Sequence, residues 1–284
     1  MTDYIIRPLN PGETDIAVSW AAQEGWNPGA SDAVAFRSVD PHGFWGGFLD
    51  GEMVGSISVV NYDEDFAFLG FYIVRPGYRG MGLGLQLWET ASRHAGQRVI
   101  GLDGVVDQQA NYRKSGYVLA YRNIRQGGPA GPALRALGQA PEATAPLAEV
   151  TPALDAYDRE LFPAPRPAFL EAWITSPGHA ARVKLADGVI RGYAVLRPCV
   201  SGYKIGPLFA DDADVARDLL RDLLAGVEPE AEIFLDTPEP NAAAVDLAGT
   251  LGLVPVFETA RMYRGAAPDL PVDRIFGVCT FELG

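Results

Sequence analysis

The first 126 residues alternate short apolar runs with amphipathic runs, a pattern that predicts a mixed α/β fold. Residues 14–24 have apolar positions at helical spacing, and shorter helix patterns follow Ser31 and begin at Leu83 and Gln108. The apolar runs 43–50 and 53–62 are joined through a glycine turn, which predicts a β-hairpin. Further strand patterns occupy residues 4–7, 66–74, 99–106 and 117–125.

The composition changes abruptly at residues 127–146, which are rich in glycine, proline and alanine. This segment predicts a linker between an N-terminal domain, residues 1–126, and a C-terminal domain, residues 147–284. The second half then repeats the order of strands and helices, and a shift of about 133 residues places "IGLD" at 100–103 on "IFLD" at 233–236 without a gap. We therefore expect a duplicated fold.

The run "IVRPGYRGMGLG" at residues 73–84 leads from a strand pattern into a helix pattern. Glycine is costly inside a helix, so Gly80, Gly82 and Gly84 indicate that the backbone itself approaches a ligand. A helix N-terminus with free amides and a positive dipole favours an anion, and Arg79 adds a charge at the entrance. The loop lacks the lysine and hydroxyl residue of a nucleoside triphosphate site and the spacing of a dinucleotide site. The alternative is that the glycines only permit tight packing of strand and helix.

The corresponding loop in the second half has lost these features. Arg79, Gly80, Gly82 and Gly84 fall opposite Asp212, Ala213, Val215 and Arg217. Acidic residues at this place would repel a phosphate, so we expect a single anion site, in the first half.

Residues 79–84, Arg-Gly-Met-Gly-Leu-Gly, resemble the pyrophosphate-binding signature Q/R-x-x-G-x-G/A of the GCN5-related N-acetyltransferase (GNAT) superfamily. The resemblance covers residues 3–126 in strand and helix order, and the chain is similar to tandem bacterial members of the YitH/HolE type. It implies a GNAT fold, a central mixed and mostly antiparallel sheet flanked by helices, followed by a degenerate GNAT-like domain. It also implies acetyl-CoA as cosubstrate, with the pantetheine arm along Ile73 and Val74. The pyrophosphate would be held at Arg79, Gly80, Met81, Gly82, Leu83 and Gly84.

Two residues are candidates for proton transfer. The resemblance implies that Tyr112, in the sequence "YRKSGY", protonates the departing thiolate, although packing would also explain a tyrosine there. A glutamate on the fourth strand, used by many members of the superfamily, is absent from "LGFYIV". Asp103 could accept a proton instead, and a carboxylate capping the next turn is an equal alternative.

The acceptor is expected to lie against the connection after the first helix pattern, which forms a cleft wall in the superfamily. Glu24, Trp26 and Asn27 lie there, and a carboxylate beside an indole face suits an ammonium group. A core position for Trp26 and a simple turn at Asn27 are the competing interpretation.

The composition of the chain excludes some classes of binding partner. A formal net charge of -13 argues against nucleic-acid and membrane-surface binding and is compatible with a cationic substrate. The two cysteines, Cys199 and Cys279, have no metal-ligand spacing, so no metal is expected; a reducing compartment is the natural interpretation, and a single disulfide stays open. The N-terminus lacks a signal-peptide pattern, which favours a cytoplasmic protein.

These observations predict an acetyl-CoA-dependent N-acetyltransferase that acts on a small-molecule or protein amine. The competing hypothesis is a non-catalytic acyl-CoA-binding or sensor protein. The second half is expected to cover the acceptor cleft or to supply the surface of a homodimer.

Overall fold

A computed structural model describes residues 3–139 and 143–284. The strands are β1 (Tyr4–Pro8), β2 (Phe44–Leu49), β3 (Glu52–Asn61), β4 (Phe66–Val74), β5 (Val99–Val105), β6 (Val118–Pro129), β7 (Ala145–Pro146), β8 (Ala180–Ala186), β9 (Val189–Pro198), β10 (Tyr203–Ala210), β11 (Glu232–Pro238), β12 (Val254–Arg264) and β13 (Ile275–Gly277). The helices are α1 (Pro11–Gln23), α2 (Asp32–Val39), α3 (Leu83–Ser92), α4 (Gln109–Lys114), α5 (Ala130–Leu137), α6 (Pro152–Arg159), α7 (Pro167–Thr175), α8 (Ala213–Leu224) and α9 (Ala242–Thr250).

Helix α1 begins three residues before the predicted start because of its cap. The side chain of Asn10 accepts a hydrogen bond from the amide of Glu13 at 2.9 Å, and the Glu13 carboxylate accepts one from the amide of Asn10 at 2.9 Å. This capping box satisfies two amides that would otherwise lack partners.

The strands form one continuous sheet in the order β1-β2-β3-β4-β5-β12-β6-β11-β10-β9-β8-β7, and β13 pairs with β10. Neighbours are antiparallel except β4 with β5 and β10 with β11, which are parallel. The expected mixed, mostly antiparallel sheet with helices around it is confirmed.

The two halves exchange their long late strands. β12 belongs to the second half in sequence, yet it lies between β5 and β6, and β6 pairs with β12 and β11. The sequence predicts β6 only as the last strand of the first half. Each half therefore completes its sheet with a strand from the other.

The segment predicted as a linker, residues 127–146, is in large part regular structure. β6 continues to Pro129, α5 follows at once, and Ala145–Pro146 pairs with β8; residues 140–142 lie outside the described residues. Gly127 and Gly128 belong to the sheet, since they pair with Phe234 and Ile233 of β11. The division into units 1–126 and 147–284 stays a prediction.

Strand β4 bends where the site forms. It pairs with β5 only from Phe66 to Leu69, its register against β3 shifts just beyond, and Phe71 has a left-handed φ of +48°. Past Leu69 the edge of β4 that faces β5 is therefore open. The C-terminal segment, residues 278–284, approaches this bend, because a Cβ on Gly70 would lie 2.2 Å from the carbonyl oxygen of Glu282.

Both halves share one hydrophobic core cluster. Phe36 and Phe71 from the first half pack in it with Trp173 and Phe281 from the second, and the Phe36 and Trp173 rings stack with centroids 5.9 Å apart. The cluster holds the bend of β4 and the C-terminal segment in fixed relation.

Candidate active site

The loop before α3 presents main-chain amides to open space. Gly80 and Gly82 have left-handed φ values of +77° and +78°, and a Cβ added to either would meet no atom within 4 Å. Gly82 precedes the first helical residue, Leu83, and no side chain caps this helix. Because the first amides of a helix lack intrahelical acceptors, the loop is suited to an anion such as a pyrophosphate.

Gly84 has a different role from its two neighbours in the motif. A Cβ there would lie 2.6 Å from the hydroxyl of Tyr72 and 2.8 Å from Cγ2 of Val74. The third glycine therefore allows α3 to pack closely on β4, as the packing alternative requires, while the first two provide the left-handed turn.

Arg79 and Glu24 meet at the mouth of the site. The Nη2 of Arg79 donates to the Glu24 carboxylate at 2.6 Å, and its Nε donates to the carbonyl of Val74 at 2.7 Å. The expected substrate carboxylate and the expected phosphate-binding charge thus form an ion pair with each other. Half of the Arg79 side chain remains exposed.

A cavity of about 540 Å³ extends from this loop along the open edge of β4. It brings together Ile73, Val74, Arg79, Gly80, Gly82 and Gly84 with Tyr112, Asp103, Glu24 and Trp26, all of them predicted site residues. Of the remaining predicted residues, Met81 and Leu83 flank the glycines in the loop, whereas Asn27 lies elsewhere. Residues that sequence reasoning missed complete the wall: Leu69, Gly70, Phe71, Tyr72, Tyr78, Leu85, Leu102, Gly104, Val105, Gln108, Arg125, Phe257, Thr259, Phe281 and Glu282.

Tyr112 lies in the cavity wall within an aromatic cluster. Its ring stacks on Trp88 with centroids 5.7 Å apart, and it covers Gly104 so closely that a Cβ there would lie 2.2 Å from the ring. Burial, with a smaller contribution from Tyr72, raises the pKa of Tyr112 to about 12. The hydroxyl carries its proton at neutral pH, as an ordinary tyrosine does.

Asp103 is buried and fully engaged by neighbouring strands. Its Oδ2 accepts from Nη2 of Arg261 at 2.7 Å, and its Oδ1 accepts from Nε of Arg261 at 3.0 Å and from Asn123 at 2.8 Å. Burial raises the pKa of the Asp103 carboxyl, and Arg261 and Asn123 oppose that rise. These contacts join β5, β12 and β6, so both carboxylate oxygens have a structural partner.

The residues predicted to form the acceptor wall, 24–27, lie in two different places. Trp26 lines the cavity, and its carbonyl accepts from Lys204 at 2.8 Å and Arg125 at 3.1 Å. Asn27 instead pairs with the backbone of Ser201, donating at 2.9 Å and accepting at 2.8 Å. Asn27 therefore connects the two halves.

The corresponding helix N-terminus in the second half, that of α8, is capped by a carboxylate. The side chain of Asp212 caps α8 by accepting from the amides of Asp214 at 3.0 Å and Val215 at 2.9 Å. A protein carboxylate already occupies the place where a phosphate would bind. The amides that α3 presents to the cavity are thus covered in α8.

Comparisons with known proteins agree with this arrangement. Residues 14–117 match a family model described as "Acetyltransferase (GNAT) family", and residues 154–277 match one described as "Acetyltransferase (GNAT) domain". A holothin acyltransferase from Pseudoalteromonas sp. (strain SANK 73390) is 34% identical over 280 residues, which make up 98% of this chain and 94% of that protein.

Solved structures show the same fold. A putative acetyltransferase from Pyrococcus horikoshii superposes with a TM-score of 0.83 over 99% of this chain and 96% of its own, at 24% identity. A tandem GNAT protein from the clavulanic acid biosynthesis pathway gives a TM-score of 0.64 over 94% of this chain and 100% of its own, at 18% identity.

The fold and the relatives show that the chain is an acyltransferase. They favour an enzyme over the competing hypothesis of a non-catalytic binding protein. The chain belongs to the acetyltransferase (GNAT) family, in its tandem form.

The part of the chain that the structure describes, residues 3–139 and 143–284, contains no group of three or more His, Cys, Asp or Glu side chains arranged to hold a metal ion. None of its helices combines the length and the apolar character needed to span a membrane. Cys199 and Cys279 are free thiols.

Proposed function

We propose that the protein is an acetyl-CoA-dependent N-acetyltransferase that transfers the acetyl group to a primary amine by direct attack on the thioester. The observation that carries the proposal is the uncapped N-terminus of α3. Its left-handed glycines lie on the same cavity as the open edge of β4 and the hydroxyl of Tyr112.

Each part of acetyl-CoA would have its own place along the cavity. The pyrophosphate would accept hydrogen bonds from the amides at residues 80–84, with the exposed part of Arg79 adding positive charge. The pantetheine arm would lie along Ile73 and Val74, where β4 pairs with β3 on one edge but has no partner strand on the edge that faces β5. This position directs the thioester towards the bend at Phe71 and towards Tyr112.

The chemistry requires a polarised carbonyl and a proton for the leaving group. Main-chain amides on the open edge of β4 can donate to the thioester oxygen as it becomes negative. Tyr112 can then protonate the departing thiolate, since the residue lines the same cavity and its hydroxyl carries a proton at neutral pH. The protein thereby stabilises charge at both ends of the breaking bond.

The acceptor amine would enter from the side of Trp26, Phe257 and Phe281. These aromatic side chains lie on the same cavity and favour an acceptor with an apolar body. The name of the related holothin acyltransferase supplies a candidate acceptor, holothin. Holothin is therefore the first acceptor to assay.

The loop can be tested with a pair of matched variants. Gly82→Ala and Gly188→Ala place alanine at φ values of +78° and +77°, and neither new Cβ meets a protein atom within 4 Å. Both carry the same backbone strain, but only the first lies at the proposed pyrophosphate site. We expect calorimetry with acetyl-CoA to show at least about tenfold weaker binding for Gly82→Ala, equivalent to about 1.4 kcal/mol, and wild-type binding for Gly188→Ala.

Turnover is measured by release of free CoA thiol, with holothin and a panel of primary alkyl and aryl amines as acceptors. Mass spectrometry of the product should show an acetyl amide. Absence of acetyl-CoA binding by the wild type, or equal affinities for the two glycine variants, would contradict the proposal.

A further inference from the structure

The C-terminal segment contributes a buried carboxylate to the wall of the cavity. Glu282 is only 4% exposed, and it lies on the cavity together with Phe281 and Tyr112. Its Oε2 is buried and has no hydrogen-bond partner among the described residues. Since a buried carboxylate oxygen without a partner is costly, a ligand that donates a hydrogen bond would stabilise it.

The segment that carries Glu282 is held in place from both halves. The hydroxyl of Tyr62 donates to the carbonyl of Leu283 at 2.8 Å, and the amide of Val278 donates to the carbonyl of Asp236 at 2.9 Å. The turn closes on itself, because the amide of Gly284 donates to the carbonyl of Thr280 at 3.0 Å. Gly70 leaves the room that the Glu282 backbone occupies at the bend of β4. The backbone at Glu282 therefore has a fixed position at the bend of β4, towards which the thioester is expected to point.

The other two acidic side chains on the cavity already have partners. Glu24 is paired with Arg79 at the mouth, and Asp103 is held by Arg261 and Asn123. Glu282 is thus the cavity carboxylate, among the residues described, with a buried oxygen that no protein donor reaches.

Arg125, Arg197 and Lys204 all interact electrostatically with Glu282. Arg125 forms a two-bond ion pair with Asp236, at 2.7 and 2.8 Å, and Arg197 pairs with Asp32 at 3.0 Å. These two pairs cancel, which leaves the Glu282 carboxylate to balance Lys204. Burial lowers the pKa of Lys204 to about 8, although Glu282 opposes this effect.

We propose that Glu282 is the catalytic carboxylate that receives the proton of the acceptor amine, an inference that rests on the proposed function. The amine nitrogen forms a bond to the acyl carbon and the carbon–sulfur bond breaks. One N–H proton passes to the Glu282 carboxylate, and the thiolate takes the proton of Tyr112. Glu282 then releases its proton to solvent and Tyr112 regains one, so a neutral amine gives the amide and free CoA with no net proton. An ammonium acceptor first loses one proton to solvent before its nitrogen attacks, and that proton is the additional product. The second half of the chain thereby supplies a reacting group to the site of the first.

Glu282→Gln keeps the size and shape of the side chain and removes its ability to take a proton. With the fastest acceptor of the amine panel, we expect kcat/KM for the amine to fall about 100-fold or more, within the usual range for an acid–base group. The dissociation constant for acetyl-CoA should stay within about twofold, since it is set at the loop of α3. The rate of the variant should still rise with pH as the free-amine fraction rises.

Two further variants control this experiment. Glu282→Asp keeps a carboxylate but shortens the side chain by one methylene. Its kcat/KM should therefore lie between those of Glu282→Gln and the wild type. Glu258→Gln changes a partly exposed glutamate of β12, outside the cavity lining, and should behave as wild type.

The results separate the two proposals. Wild-type kcat/KM in Glu282→Gln, or equal losses of rate and acetyl-CoA affinity, would overturn the role of Glu282 while leaving N-acetyl transfer intact. Failure of the wild type to acylate any amine of the panel would overturn the proposed function and the role of Glu282 with it.

Discussion

Tyr112 and Tyr117 allow the role of one hydroxyl to be separated from that of an aromatic ring. Both rings pack on Trp88, with centroid distances of 5.7 and 6.0 Å, and both are buried. Tyr112 lines the cavity, whereas the hydroxyl of Tyr117 is buried without a hydrogen-bond partner among the described residues. Loss of the first hydroxyl should affect catalysis, and loss of the second should not.

We expect Tyr112→Phe to lower kcat about 100-fold, the lower end of the range for acid–base groups, because a thiolate is a good leaving group. Tyr117→Phe should keep the wild-type kcat, and both variants should bind acetyl-CoA as the wild type does. Single-turnover kinetics measures the chemical step directly. Unchanged turnover in Tyr112→Phe would reduce this residue to a packing role.

The pH dependence gives a second check on Tyr112. An acid must be protonated to act, so activity is present below its pKa and is lost as the pH rises through it. Because burial raises the pKa of Tyr112 to about 12, kcat should show no fall from this group around pH 10, the ordinary value for tyrosine. A falling limb near pH 10 that disappears in Tyr112→Phe would contradict the assigned environment.

Local patterns predicted the cavity residues whose role depends on their own backbone or on near neighbours. Gly80 and Gly82 are recognisable because a left-handed turn before a helix requires glycine there. The contacts of Asn27 and Asp103 were not predictable, since their partners Ser201 and Arg261 lie 174 and 158 residues away. Glu282 carried no local signal for the same reason: its place depends on where β4 bends.

At the scale of elements, Asp103 links its own strand to the two strands that the halves exchange. It stands on β5, and its partners Arg261 and Asn123 stand on β12 and β6, the two strands that the halves exchange. The strand patterns of the two halves are alike, so the sequence could predict that these strands exist but not which of them pairs with β5.

We expect Asp103→Asn to lower the free energy of unfolding by about 3–5 kcal/mol, because it leaves the guanidinium of Arg261 buried without a countercharge. Urea unfolding followed by circular dichroism measures the change. Glu239→Gln, which breaks the exposed ion pair with Arg122, is the control and should cost far less.

The same variant tests whether Asp103 takes part in proton transfer. The folded Asp103→Asn protein should retain kcat within about tenfold, below the usual contribution of an acid–base group. A loss of about 100-fold in kcat with unchanged stability would instead identify Asp103 as the base and would argue against Glu282.

At the scale of the whole molecule, the exchanged strands and the shared core predict that the two halves unfold together. β12 cannot leave without exposing the edges of β5 and β6, and Trp173 stacks on Phe36 of the other half.

Trp173 is fully buried, and its indole nitrogen donates to the carbonyl of Gly206 at 2.9 Å. Trp173→Ala should therefore lower the free energy of unfolding by about 3–5 kcal/mol. Native-state hydrogen exchange should show the same loss in β3 of the first half as in β9 of the second. Protection lost from β9 alone would mean that the halves are independent, and the C-terminal segment with Glu282 would then lack the rigid support that the first half gives it.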